Sequence, residues 1–230
     1  MPVRSSRFKA VLFDLDGTLV EFKFKVKESR IALIEFLDRK GYNVKPLNEA
    51  TRTQLLVDEA ENQWRGSKQL RDKQQFGSLK KEMYAILDEF EFEALGEAKP
   101  HTGALQMLKQ LDSENIPMAL VTNSGRRPVD TVLHKFGFLD YLSAVVTRDE
   151  MPKMKPMPDG ILVALARLEL APEQVVYVGD SVVDVEAARL AKTWSASIAT
   201  GLYKKEALEK MSPDFILSRL EDLENVIFVH

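Results

Sequence analysis

The chain has 230 residues, 45% hydrophobic and 29% charged, with a net charge of −3. Such a composition suits a soluble globular protein with a sizeable core; it offers no electrostatic footprint for nucleic acid, and no apolar run approaches the ~20 residues of a membrane span. The absence of cysteine excludes disulfides, thiolate nucleophiles and Cys-ligated metal centres, and three widely spaced histidines do not make a zinc site.

Residues 1–7 are basic, but the apolar segment that follows is too short for a signal peptide and lacks a small-residue cleavage site, so a cytoplasmic location is expected. Residues 8–13 are mostly apolar and predict a strand buried on both faces. From residue 20 to about 99 the chain is rich in Lys, Glu and Gln at helical spacing, which reads as a helical insertion. Ile31, Ile34 and Leu37 suggest one buried stripe, and Leu79, Met83, Ile86, Leu87 and Phe90 a second. A third helix is expected over 47–64, followed by a loop at Trp64-Arg65-Gly66-Ser67-Lys68. From Pro100 onward, strands over 116–121, 144–147, 175–178 and 195–199 alternate with helices near 103–114, 159–169 and 182–191. Short edge strands are expected at 215–217 and 226–229. That rhythm predicts a parallel sheet with right-handed crossovers.

The stretch Phe13-Asp14-Leu15-Asp16-Gly17-Thr18-Leu19 brings two carboxylates to the mouth of the first strand. Alternation aims Asp14 and Asp16 the same way, and buried carboxylates need cations, hydrogen bonds or a shared proton. Asp-Gly is also a common turn signal that simply ends strands. The other polar clusters likewise follow strands, where ligands bind in open α/β sheets. Thr122-Asn123-Ser124-Gly125 offers a hydroxyl, amides and a glycine that lets backbone approach an anion, although by itself it is an ordinary turn. Three prolines stiffen the segment 151–159, which carries two lysines that ordinarily would just be solvated; one that points inward would offset phosphate charge and orient a nucleophile, and Lys155, directly before Pro156, is the choice. In Gly179-Asp180-Ser181-Val182-Val183-Asp184, a helix starting near Ser181 would aim Asp180 and Asp184 at the mouth. An N-cap accounts for Asp180 or Ser181, whereas burial of Asp184 among valines and alanines is expected to require a cation. Oxygen ligands without a soft donor suit Mg²⁺, with Zn²⁺ fitting less well. A strand-end carboxylate beside Mg²⁺, a lysine and a hydroxyl suits phosphoryl transfer through an aspartyl-phosphate.

In order and spacing these stretches resemble the motifs of the haloacid dehalogenase superfamily, specifically its phosphatases with a helical cap inserted after the first motif, such as the phosphoglycolate phosphatase-like group. Asp14-Leu15-Asp16-Gly17-Thr18 is similar to the first motif, Thr122-Asn123 to the second, Lys155-Pro156 to the third and residues 179–184 to the fourth. The match covers the core from about residue 8 to 223, while the insertion agrees only in place, size and helicity. The resemblance implies an α/β fold: a Rossmann-like parallel sheet core with helices on both faces, formed by 1–19 and 100–230, plus a small α-helical cap domain, 20–99.

It also implies roles. Asp14 would attack phosphorus, and Asp16 would protonate the leaving alkoxide and then deprotonate water. Thr122 would bind phosphoryl oxygens and Lys155 would bridge Asp14 and phosphate. Mg²⁺ would be held by the Asp14 side chain, the Asp16 main-chain carbonyl, Asp180, and Asp184 directly or through water. Backbone N–H groups near Leu15, Asp16 and Asn123 would complete the cradle. Asn123, Arg65 and Arg126 are the candidate substrate contacts, although both arginines also read as ordinary exposed side chains. Glu21 stands where many relatives have Asp, and Lys192 where Gly commonly follows the fourth-motif helix. The expected protein is a Mg²⁺-dependent phosphatase for a small phosphorylated metabolite, a monomer or homodimer with no nucleic-acid or membrane partner, whose cap closes to exclude water. A phosphomutase using the same residues and a catalytically silent regulatory module are the alternatives. A dehalogenase fits less well, since carbon–halogen displacement has no need of Asp16.

Overall fold

A strand apolar on both faces can be buried only inside a sheet covered on both sides. The computed structural model describes residues 5–21, 23–199, 203 and 205–228. In chain order they form β1 (Ala10–Phe13), β2 (Val20–Glu21), α1 (Val26–Arg39), α2 (Thr53–Gly66), α3 (Lys68–Lys73), α4 (Phe76–Leu95), β3 (Lys99–Pro100), α5 (Ala104–Ser113), β4 (Met118–Val121) and α6 (Arg126–Phe136). There follow β5 (Ala144–Val146), α7 (Asp159–Leu168), β6 (Val175–Gly179), α8 (Val182–Ala191), β7 (Trp194–Ile198), α9 (Lys205–Glu209), β8 (Phe215–Leu217) and α10 (Leu223–Ile227). None of the described helices is long and apolar enough to cross a membrane.

Six strands make one parallel sheet in the order β5-β4-β1-β6-β7-β8. Helices cover both of its faces, the α/β Rossmann-like arrangement. Every residue of β1, β4 and β6 is buried, as apolar strands in the middle of a covered sheet must be. Because β1 lies between β4 and β6, the loops after these three strands leave the sheet side by side at its carboxyl edge. Chain direction across the sheet reverses there, which opens the crevice used by ligands in such folds.

The chain divides into two compact units, 1–22 with 97–230, and 23–96. Val20 and Glu21 pair antiparallel with Pro100 and Lys99, which keeps these four residues in the first unit. The second unit is helical, with α1, α2 and α4 packed on one another.

Several local expectations are corrected. On α1 the buried apolar residues are Leu33, Phe36 and Leu37, while Ile31 is exposed. Spacing of i, i+3, i+6 drifts round the helix, whereas i, i+3, i+4 stays on one face. The expected stripe on α4 does hold Leu79, Met83 and Leu87 in the core. The helix expected from residue 47 begins only at Thr53, because the Asn48 side chain accepts from Ala50 N–H and Thr51 Oγ1 accepts from Asn48 N–H, diverting the backbone into turns. No loop separates α2 from α3: Ser67 joins them directly and caps α3 by accepting from Leu70 N–H at 3.3 Å. The edge strand expected at 226–229 is not formed by its described residues. Val226 and Ile227 belong to α10, Phe228 makes a single antiparallel bridge with Ser6, and Val229 lies outside the described residues.

Candidate active site

The end of β1 positions the first carboxylate. Asp14 N–H extends the ladder by donating to Val178 O at 2.9 Å, and its buried side chain projects where the sheet stops. The chain then turns tightly, with Gly17 N–H donating to Val20 O at 2.8 Å. Gly17 adopts φ +80°, and a Cβ there would collide with the carboxylate of Asp180. A Cβ at Gly179 would collide with Asp184 in the same way. These two glycines therefore clear the space that lets carboxylates from the first and fourth loops approach one another.

Carboxylate oxygens of Asp14, Asp180 and Asp184 all lie within 4.8 Å of one another, and all three residues are buried. Lys155 enters this cluster from the third loop, its Nζ 2.7 Å from Asp14 Oδ1 and 2.7 Å from Asp184 Oδ1. Its ammonium also donates to the Tyr177 hydroxyl at 2.8 Å. Burial pulls Lys155 down, but Asp14 and Asp184 outweigh it and hold the ammonium above its ordinary value. Asp14 is pushed well above the usual carboxylate range, first by burial and then, against the pull of Lys155, by repulsion from Asp184, Asp16 and Asp180. Burial likewise raises Asp16, opposed by a Ser124 hydrogen bond, Lys155 and Arg148. Three clustered carboxylates, two of them on Lys155, thus offer only oxygen ligands, an arrangement that fits a hard divalent cation.

Asp184 has the cation its burial was expected to require, the Lys155 ammonium, and it also takes part in the N-cap. Its Oδ2 accepts from Ser181 N–H at 3.0 Å and from Ser181 Oγ, making it the return arm of the capping box that starts α8. Its Oδ1 accepts from Lys155 and from Tyr177 Oη, the latter at 3.1 Å. Capping and a lysine already compensate its burial, so the need for a metal rests on the cluster as a whole.

The second loop is built from hydrogen bonds. Thr122 N–H donates to Val146 O, and Thr122 Oγ1 accepts from Ser124 N–H at 3.1 Å, leaving the threonine hydroxyl proton to donate elsewhere. The Asn123 side chain grips the third loop: its Nδ2 donates to Lys155 O at 3.1 Å and its Oδ1 accepts from Lys155 N–H at 2.8 Å. This amide therefore positions the backbone of Lys155.

The structure gathers Asp14, Asp16, Thr122, Asn123, Lys155, Asp180 and Asp184, but engages the two candidate arginines elsewhere. Arg126 donates to Glu150 through Nε at 2.8 Å and Nη2 at 2.5 Å, and to Val145 O and Asp130. It thereby ties the start of α6 to the β5 edge. Arg65 lies in the helical unit and pairs with Glu61 one turn back, its side chain 69% exposed.

Three further residues were not singled out from the sequence. Tyr177 reads as one more strand residue, yet its hydroxyl sits among Lys155, Asp184 and Val121 O. Arg148 reads as a surface charge beside Asp149 and Glu150, yet only 1% of it is exposed and its Nη1 donates to Asn123 O at 3.1 Å. Ser124 was visible only as a turn residue, and its hydroxyl donates to Asp16 Oδ2 at 2.7 Å. The one signal that could have found it is its place two residues beyond Thr122.

Residues 8–192 match the family of haloacid dehalogenase-like hydrolases. Over 124 residues the chain is 33% identical to the phosphoglycolate phosphatase of Escherichia coli (strain K12); the match takes in 54% of this chain and 48% of that protein, about half its length. Over 227 residues, 98% of this chain and 97% of the relative, it is 24% identical to the N-acetylmuramic acid 6-phosphate phosphatase of Pseudomonas aeruginosa. Its fold is similar to that of a hydrolase from Pseudomonas syringae, with a TM-score of 0.65 at 21% identity, covering 95% of this chain and 97% of that one.

Proposed function

Because the chain belongs to the haloacid dehalogenase-like hydrolase family, we propose that it is a Mg²⁺-dependent phosphatase that hydrolyses a small phosphorylated metabolite through an aspartyl-phosphate. The observation that carries this reading is the Asp14 carboxylate, held at the end of β1 with Lys155 Nζ at 2.7 Å and the carboxylates of Asp180 and Asp184 close by.

In the first half-reaction an Asp14 oxygen attacks phosphorus, the ester P–O bond breaks, and the proton of the Asp16 carboxyl passes to the departing alkoxide. An alcohol and an aspartyl-phosphate result. In the second, Asp16 takes a proton from water, the hydroxide attacks phosphorus, and the acyl-phosphate P–O bond breaks to return Asp14 and release phosphate. Burial that keeps Asp16 protonated beyond the ordinary carboxylate range suits the first of these transfers. Lys155 keeps its charge and screens both the Asp14 carboxylate and the phosphoryl oxygens. The Thr122 hydroxyl, having accepted from Ser124 N–H, donates its proton to a phosphoryl oxygen.

The side chains of Asp14, Asp180 and Asp184, with the Asp16 main-chain carbonyl, would hold Mg²⁺. When bound, the ion supplies positive charge to phosphoryl oxygens and relieves the repulsion that lifts Asp14. The printed names of the relatives put phosphoglycolate and N-acetylmuramic acid 6-phosphate first among substrates to try.

The test is phosphate release from a panel of phosphorylated metabolites with Mg²⁺, with EDTA, and with Asp14→Asn. Turnover that requires the metal and disappears in Asp14→Asn is expected. Full activity in Asp14→Asn, or no phosphate released from any member of a broad panel, overturns the proposal.

A further inference from the structure

The two oxygens of the Asp16 carboxyl have different surroundings. Oδ2 accepts from Ser124 Oγ at 2.7 Å, across 108 positions of sequence. Oδ1 is buried and has no hydrogen-bond partner among the described residues. Ser124 is buried and braced at both backbone ends: its N–H donates to Thr122 Oγ1 at 3.1 Å, and its carbonyl accepts from Arg148 N–H at 3.2 Å. A hydroxyl has one proton to donate, and Asp16 Oδ2 is the acceptor that the structure gives this one.

A carboxyl on a short side chain can rotate to exchange its oxygens. Proton transfer is efficient only when the oxygen that carries the proton already points at the reacting atom. A donor fixed on Oδ2 stops that rotation and assigns the acidic proton to the other oxygen. We propose that Ser124 is a positioning residue for proton transfer: its hydroxyl holds the Asp16 carboxyl in one orientation and reserves Oδ1 as the oxygen that gives and takes the proton. The inference rests on the acid–base role given to Asp16 above. It adds a residue that acts through Asp16, its partners being Asp16, Thr122 and Arg148.

Leaving groups that differ in their need for a proton test it. The p-nitrophenolate ion is stable at neutral pH and leaves without an acid, whereas the alkoxide of phosphoglycolate must be protonated as it departs. Values of kcat/KM, which report the step that expels the leaving group, are compared for p-nitrophenyl phosphate and phosphoglycolate. In Ser124→Ala the value for phosphoglycolate should fall about tenfold and that for p-nitrophenyl phosphate by less than about threefold, with KM little changed. Ser124→Thr, which keeps the hydroxyl, should recover most of the loss. Should the alanine variant not fold, as read from its melting curve, Ser124→Cys keeps the volume with a weak donor and should show the same contrast.

Equal losses on both esters, or a rise in KM without the contrast, would mean that Ser124 only packs or contacts phosphate, and would overturn the inference. Asp16→Asn is the internal reference and should show a steeper contrast. If it does while the Ser124 variants behave like wild type, only the role of Ser124 falls. If Asp16→Asn shows no contrast, the acid–base reading of Asp16 falls, and the inference with it.

Discussion

Replacing Lys155 with methionine removes its ammonium from among the clustered carboxylates while keeping most of its volume. In the native protein its side chain is 3% exposed and lies 2.7 Å from both Asp14 and Asp184. Breaking a buried pair by deleting one partner costs about 3–5 kcal/mol, because the other charge is left uncompensated. The protein can limit that loss by protonating a stranded carboxyl. At pH 7 this costs at most about 4 kcal/mol, roughly three pH units above an ordinary aspartate at about 1.36 kcal/mol each. The loss in Lys155→Met should therefore be about 3–4 kcal/mol at pH 7, lowering Tm by roughly 6–16 °C. The sign of its pH dependence follows from the pull of Lys155 on Asp14: without the ammonium, a carboxyl already raised by burial is raised further. A carboxyl raised in the folded state binds a proton there before it does in the unfolded chain, so stability grows as pH falls through the folded value. The gap between variant and wild type should therefore be smaller at pH 5 than at pH 7. Urea unfolding of both proteins at the two pH values, in EDTA, measures it. A gap below about 1 kcal/mol at pH 7, or one that is equal at both pH values, would refute the reasoning about the buried cluster.

Gly17→Ala forces a side chain into φ +80° and against Asp180, so a stability loss of about 1–2 kcal/mol from the backbone alone is expected, together with weaker binding of Mg²⁺ by calorimetry. Wild-type stability and Mg²⁺ affinity would show that the turn tolerates a Cβ. Asp180→Asn removes one anionic oxygen donor from the cluster and should weaken Mg²⁺ at least about tenfold with the melting curve of the metal-free protein unchanged or raised; unaltered affinity would remove Asp180 from the ligand set. Lys192 closes α8 in the left-handed region, at φ +62°, with its side chain exposed. Lys192→Gly should stabilise the protein by about 0.5–1 kcal/mol without changing activity, and a destabilised variant would show that the lysine makes a compensating contact.

Lys192 also illustrates how local chemistry reads through. The family resemblance implies glycine after the fourth-motif helix, where this chain has Lys192, and the backbone there is the left-handed one that favours glycine. The core strands were readable for a comparable reason. Their β-branched and apolar runs, bounded by turn residues, state both extent and burial, and the 175–178 segment differs from β6 by one residue. Where a stripe had to be assigned to one side of a helix, as with Ile31 against Leu33, the local pattern was ambiguous and packing within the helical unit chose.

What the sequence by itself determined is therefore whatever neighbours along the chain decide: the parallel strands, the order of the four polar loops and the acidic residues at their tips. The tertiary structure decided which side chains those loops turn toward one another. Asn123 clasps the backbone of Lys155, Arg148 is buried instead of exposed, and Ser124 reaches Asp16 across 108 positions. Hydrogen bonds of that kind depend on how far apart loops leave neighbouring strands of a sheet, and no periodicity or propensity along the chain records that distance.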